Sequence, residues 1–150
     1  MHRIMGLDIG DRRIGVAVSD PTQILASPLK TIVRKDDESA VLEINALLKQ
    51  YDIGKLVIGL PYLMNGSVGE QARKVTEFTS KLGGSTSIEI VMQDERLTSF
   101  TADHMLREAG KKKDRLKKEI DAAAATVILQ SYLDEIASGG QISQDEPPSL

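Results

Sequence analysis

Apolar and polar positions divide the chain into short extended segments followed by helical ones. Arg3–Ile9 and Ile14–Ser19 are short apolar or alternating runs joined by Gly10-Asp11-Arg12-Arg13, the pattern of a β-hairpin whose turn is supplied by Gly and Asp. Ile24–Val33 is β-rich around Pro28, which predicts an edge or bulged strand, because proline lacks the N–H that a central ladder needs. Asp36 or Asp37 can then cap a helix whose apolar positions Val41, Ile44, Leu48 and Tyr51 recur every three to four residues. Lys55–Leu60 is a continuous apolar run stopped by Pro61, as in a strand buried on both faces of a parallel sheet.

The second half continues in alternation. Tyr62–Ser67 reads as a loop, and Val68–Leu82 as a helix with Val68, Ala72, Val75, Phe78 and Leu82 on one face, ended by Gly83-Gly84. Ser87–Gln93 is a further strand, Thr98–Ala109 a helix closed by Gly110, and Glu119–Ala137 a long Ala-rich helix. The order β-β-β-α-β-α-β-α-α predicts an α/β fold. Its mixed five-stranded sheet would begin antiparallel, continue through parallel βαβ crossovers and be flanked by helices. Residues 1–137 form the expected domain, and residues 138–150 read as a disordered acidic tail.

Composition narrows the chemistry. With 150 residues, 41% hydrophobic, there is material for one core and no room for two catalytic lobes. No apolar run is long enough to span a bilayer and the N-terminus lacks a signal-peptide pattern, so a cytoplasmic protein without a membrane partner is expected. The absence of cysteine fits a reducing compartment and, with only His2 and His104 as imidazoles, excludes thiolate nucleophiles and zinc fingers. A metal site would have to be built from carboxylates, which select hard cations, chiefly Mg²⁺ or Mn²⁺. Five aromatic residues and no Trp argue against a base-stacking platform. The glycines at 6, 10 and 15 match no dinucleotide fingerprint, so no nucleotide cofactor is expected.

Three places put acids where a site could form. Asp8 lies near the end of an apolar strand, Asp94-Glu95 follows directly after another, and Asp121 opens the last helix. In open α/β sheets, sites collect beyond the carboxyl ends of the strands. The small side chains of Ala122–Ala125 would let the helix approach closely enough to bring Asp121 in. Each acid also has an ordinary explanation, as a hairpin brace, an exposed strand end or a helix-dipole partner. Asp8 is the hardest to explain so, because a charge between Leu7 and Ile9 is costly to bury unless paired or bound to a cation. Arg12 and Arg13 beside Asp8, and Arg96 beside Glu95, are placed to grip phosphates.

The net charge of −3 would count against nucleic acid, but the acids are unevenly spread. Residues 134–150 hold four acids and no base, which leaves residues 1–133 at +1. Lys111, Lys112, Lys113, Arg115, Lys117 and Lys118 form a basic segment that reads either as a solvated loop or as a phosphate-contacting patch.

The blocks Gly6-Leu-Asp-Ile-Gly-Asp-Arg-Arg-Ile-Gly-Val-Ala-Val-Ser-Asp20, Val57-Ile-Gly-Leu-Pro61 with Asn65-Gly66, Asp94-Glu-Arg-Leu-Thr98 and Asp121-Ala-Ala-Ala resemble the YqgF (RuvX) family. The likeness spans about residues 3–135 with the blocks in order. It implies a ribonuclease H-like fold and a metal-dependent nuclease associated with maturing the 5′ end of pre-16S ribosomal RNA, some members being described as Holliday junction resolvases. Carried over residue by residue, it implies Asp8, Glu95 and Asp121 as metal-binding catalytic acids, with Asp94 the alternative to Glu95. Ser99 stands where the family often has threonine.

The implied partners are structured RNA or branched DNA, and the chain would act as a monomer or, for a resolvase, a homodimer. A binding module without catalysis is the competing expectation. An ATPase of the sugar-kinase and actin type, suggested by the hairpin, is excluded by length, since such proteins close two domains over the nucleotide.

Overall fold

The computed structural model describes residues 2–61, 69–94 and 113–138, with only the backbone described for 113–120. Strands β1 (Arg3–Ile9), β2 (Arg13–Ser19), β3 (Ala26–Val33), β4 (Ile53–Leu60) and β5 (Glu89–Asp94) form one sheet in the order β3-β2-β1-β4-β5. β1 pairs antiparallel with β2, and β2 with β3, whereas β1–β4 and β4–β5 are parallel. This is the mixed five-stranded α/β sheet expected from the pattern, with β1 at its centre.

Pro28 lies on β3, an edge strand, and the β2–β3 register shifts between Val16 and Ala17, so the strand is both edge and bulged. β3 starts at Ala26 rather than Ile24 because the carboxylate of Asp20 captures the preceding loop. It accepts from the backbone N–H groups of Ile24 and Leu25, each at 2.8 Å, and these bonds hold its pKa far below the usual carboxylate range.

Helix α1 (Asp37–Gln50) is capped by Asp36, whose side chain accepts from Ser39 N at 2.7 Å. Its buried positions are Ala40, Ile44, Leu47 and Leu48, and Val41 and Tyr51 pack partly buried against the same core, so the expected stripe faces inward, while Leu42 is exposed. Helix α2 (Glu70–Gly83) buries Ala72, Val75, Phe78 and Leu82, as its spacing predicts. Both helices cover one sheet face, in a core with Leu7, Ile9, Ile14, Val16, Leu56 and Ile58. Asp37 ties them together. Lys81 at 2.6 Å and Arg34 at 2.9 Å hold its carboxyl below the usual range, the Lys81 hydrogen bond being the larger influence.

The other face is covered by α3 (Lys113–Ala137), which packs Ala125, Ile128, Leu129, Tyr132 and Leu133 against Ile4, Ala17, Ala26 and Val57. α3 begins six residues before the expected Glu119, so part of the basic segment is helical rather than loop. The expected loop at 62–67, the helix at 98–109 and the tail beyond residue 138 lie outside the described residues. Among the described residues, no helix is long and apolar enough to cross a membrane.

Candidate functional site

Asp8 is the sixth residue of the central strand. Its neighbours Leu7 and Ile9 point into the α1–α2 core, so the pleat turns Asp8 to the α3 face with Ile4 and Gly6. Its cross-strand partner on β2 is Gly15. On β4, Ile58 pairs with Leu7, which brings Gly59 beside Asp8 on the other side. The half-buried carboxylate is thus flanked on both sides by strand glycines.

These glycines seat α3. A Cβ on Gly15 would lie 1.8 Å from the backbone O of Asp121, and one on Gly6 would lie 2.8 Å from Cβ of Leu129 and 3.1 Å from O of Ala125. The helix backbone therefore rests directly on the hairpin, with Asp121 above the residue paired to Asp8. The expected Ala-rich approach is present, since Ala124 and Ala125 are buried, but the hairpin glycines make the closest contact. Residue types alone do not reveal that role. The signal for it was Gly6 and Gly15 lying on the same strand face as Asp8.

Asp121 does not open the last helix as expected. It is the ninth residue of α3, so a helix-dipole role does not account for it. Its Oδ2 accepts from Nε of Arg13 at 2.7 Å, with the two side chains 19% and 30% exposed, so water screens the pair only partly. Burial pushes the Asp121 carboxyl up and the Arg13 guanidinium pulls it back, burial being the larger influence. Arg13 belongs to β2 rather than to the turn, on the same face as Gly15.

The turn itself is clamped from behind. Arg34 donates from its backbone to Arg12 O at 2.8 Å and from Nη1 to Gly10 O at 2.7 Å, and its guanidinium lies 4.7 Å from the centre of the Phe78 ring. Arg12 is exposed beside the site.

Asp94 ends β5 paired with Leu60, on the face of Ile90 and opposite that of Asp8. Gln93, one residue earlier, is on the α3 face and donates to Glu135 at 2.9 Å. Asp94 thus does not converge with Asp8 and Asp121 across the sheet. Glu95, Arg96, Lys111 and Lys112 lie outside the described residues, and Lys113 starts α3. His2 pairs with Asp52 at the start of β4, away from the acids. Among the described residues, no group of three His, Cys, Asp or Glu side chains is gathered to hold a metal.

The raised Asp121 carboxyl has a measurable consequence. A folded-state pKa above the unfolded one means that this group's stabilising contribution is present below the unfolded value of about 3.8 and is lost as pH rises through the folded value. In EDTA at pH 7, Asp121→Asn is therefore expected to unfold at a higher temperature than the parent. The gap should close as the pH falls below about 4. A less stable variant at pH 7 would contradict this balance of burial and pairing.

Residues 2–135 match the family model described as RuvX, Holliday junction resolvase. Curated relatives named "Putative pre-16S rRNA nuclease" include one from Roseiflexus sp. strain RS-1, 45% identical over 132 residues, covering 88% of this chain and 94% of its own length. Another, from Clostridium botulinum, is 44% identical over 135 residues, covering 90% and 98%. Among solved structures, T. thermophilus RuvC in complex with a Holliday junction substrate aligns with a TM-score of 0.57 at 16% identity, over 91% of this chain and 96% of that one. The yeast mitochondrial Holliday junction resolvase gives 0.58 at 10% identity, over 91% and 79%. These two likenesses establish the resolvase-type, ribonuclease H-like fold, and the match along nearly the whole sequence shows that the chain belongs to the RuvX (YqgF) family.

Proposed function

We propose that the protein is a metal-dependent nuclease that hydrolyses phosphodiester bonds in the 5′-end processing of pre-16S ribosomal RNA. The observation that supports this reading is the seating of the Asp121 backbone on Gly15, the strand partner of Asp8, so that the helix carrying one acid rests on the strand beside the other. Their donor set is oxygen only, and a half-buried carboxylate whose charge is met, among the described residues, by the Arg13 guanidinium suits a hard divalent cation, Mg²⁺ or Mn²⁺. Glu95 is the third ligand in this reading. Asp94, facing the opposite side, is set aside.

When bound, a pair of such ions would supply positive charge for the attacking and leaving oxygens and lower the pKa of a water, so that it gives up its proton to solvent and attacks phosphorus as the stronger nucleophile. The chain's own residues do the rest. Asp8 and Asp121 hold their oxygens on a strand and a helix whose backbones are locked together, so little reorganisation is needed on binding. Arg12 and Arg13 offer planar donors to the flanking phosphates, and Arg34 fixes the turn that carries Arg12. Arg96, Lys111, Lys112 and Lys113 extend the basic contact in this reading. The reading places the protein in the cytoplasm with its RNA substrate.

The names of the relatives favour RNA, and the junction-bound structural neighbour makes branched DNA the second substrate to try. Purified protein should be offered precursor 16S RNA and a synthetic four-way DNA junction side by side in Mg²⁺ and in Mn²⁺. Faster cleavage of the RNA is the expected result. Faster cleavage of the junction, by a homodimer, would replace it with the resolvase activity, and binding of either substrate without cleavage would reduce the protein to a binding module.

A further inference from the structure

Among the described residues, the charge partner of Asp121 comes from the hairpin that carries Asp8. Arg13 begins β2 two residues before Gly15, on the same strand face, and reaches across 108 residues of sequence to Asp121. Its backbone is fixed, because Gly10 N donates to Arg13 O at 2.9 Å and Arg34 holds the turn before it. Its side chain is long and has several rotatable bonds, so the guanidinium can be re-aimed without moving the strand. At 30% exposure it stands at the border between the buried carboxylate and solvent.

We infer that Arg13 is a positioning residue that stands in for the divalent cation on Asp121 and is displaced when the cation arrives. This rests on the reading of Asp8 and Asp121 as cation ligands. A half-buried carboxylate without a counter-charge is unfavourable, so in the metal-free protein the guanidinium, at 2.7 Å, meets that charge and holds the side chain in place. A metal ion and Arg13 then compete for one carboxylate. By linkage, whatever strengthens one weakens the other. The displaced guanidinium stays tethered beside the site, where its planar donors suit a phosphate oxygen. A phosphate that draws Arg13 away helps the ion to bind, and the ion frees Arg13 for the phosphate, so substrate and metal load cooperatively.

The test is calorimetric titration of the intact protein with Mn²⁺ alone, without nucleic acid. Arg13→Gln removes the competing charge and is expected to bind Mn²⁺ about five- to tenfold more tightly than the parent. Arg13→Lys keeps a charge without the planar fork and is expected to tighten binding about two- to threefold. Asp121→Asn should weaken it by about tenfold or more. A brace that merely holds the helix would give the opposite sign, since its loss loosens the site.

If Arg13→Gln, shown by urea unfolding to be folded, binds Mn²⁺ as the parent does or more weakly, the proposal is overturned while the ligand assignment stands. Should Arg13→Gln fail to fold, Arg13→Lys decides by the same criterion. If Asp8→Asn and Asp121→Asn both bind Mn²⁺ like the parent, the ligand assignment fails and this proposal fails with it.

Discussion

Asparagine in place of Asp8 is expected to lower metal-dependent cleavage by about three orders of magnitude, while the free energy of unfolding stays within about 1 kcal/mol of the parent. The substitution keeps the shape of the side chain and removes only its charge. Leu7 and Ile9, which anchor this part of β1, point into the other core and are unaffected. The pairing of Asp8 with Gly15 is a backbone register that asparagine preserves. What disappears is one anionic oxygen donor, in a site where, in the proposed mechanism, cation binding supplies several kcal/mol of transition-state stabilisation. Single-turnover cleavage in Mg²⁺, with urea unfolding of the same preparation, measures both quantities. A folded variant retaining a tenth of the parent rate would remove Asp8 from the mechanism.

Alanine at Gly15 should damage the protein in a different way. The added methyl would sit 1.8 Å from a carbonyl oxygen of the α3 backbone, far inside contact distance, and no side-chain rotation can relieve a clash with main chain. Either α3 lifts from the hairpin or the hairpin bends. We expect a loss of about 3 kcal/mol in stability and, because Asp121 is the residue displaced, a large fall in Mn²⁺ affinity in whatever folds. Gly83→Ala is the control. There the nearest atom is Cδ1 of Ile90 at 3.8 Å, an ordinary contact, so the same chemical change should be close to neutral. Equal urea midpoints for the two variants would show that α3 is not seated as described.

Much of this was legible from residue pattern, and the exceptions are instructive. The Lys55–Leu60 run, the hairpin and the α2 stripe are strong periodic signals backed by the burial they predict, and all three are present. The start of the last helix was not legible. A segment rich in lysine with scattered acids has no apolar period to mark it as helix, whereas α3 runs back to Lys113. Asp121 therefore resembles a helix-terminal acid in sequence but lies two turns inside the helix. Gly6 and Gly15 match no nucleotide fingerprint by their spacing, and their meaning is steric. In α1 the expected positions face the core, and the further burial of Ala40 and Leu47 reflects the width of the sheet contact, which a one-dimensional period does not contain.

The contact between Asp121 and the hairpin also bears on the order in which the molecule assembles. Hairpins close within microseconds, but joining Arg13 to Asp121 closes a loop spanning 108 residues, an entropic cost met only after the intervening elements have collapsed. The two halves of the site are therefore expected to meet late in folding. A chain interrupted before α3 could form its central hairpin and still lack Asp121, one of the two acids proposed to hold the cation. Catalytic competence and completion of the fold would then arrive together, so partly made or partly unfolded copies would not cleave nucleic acid indiscriminately.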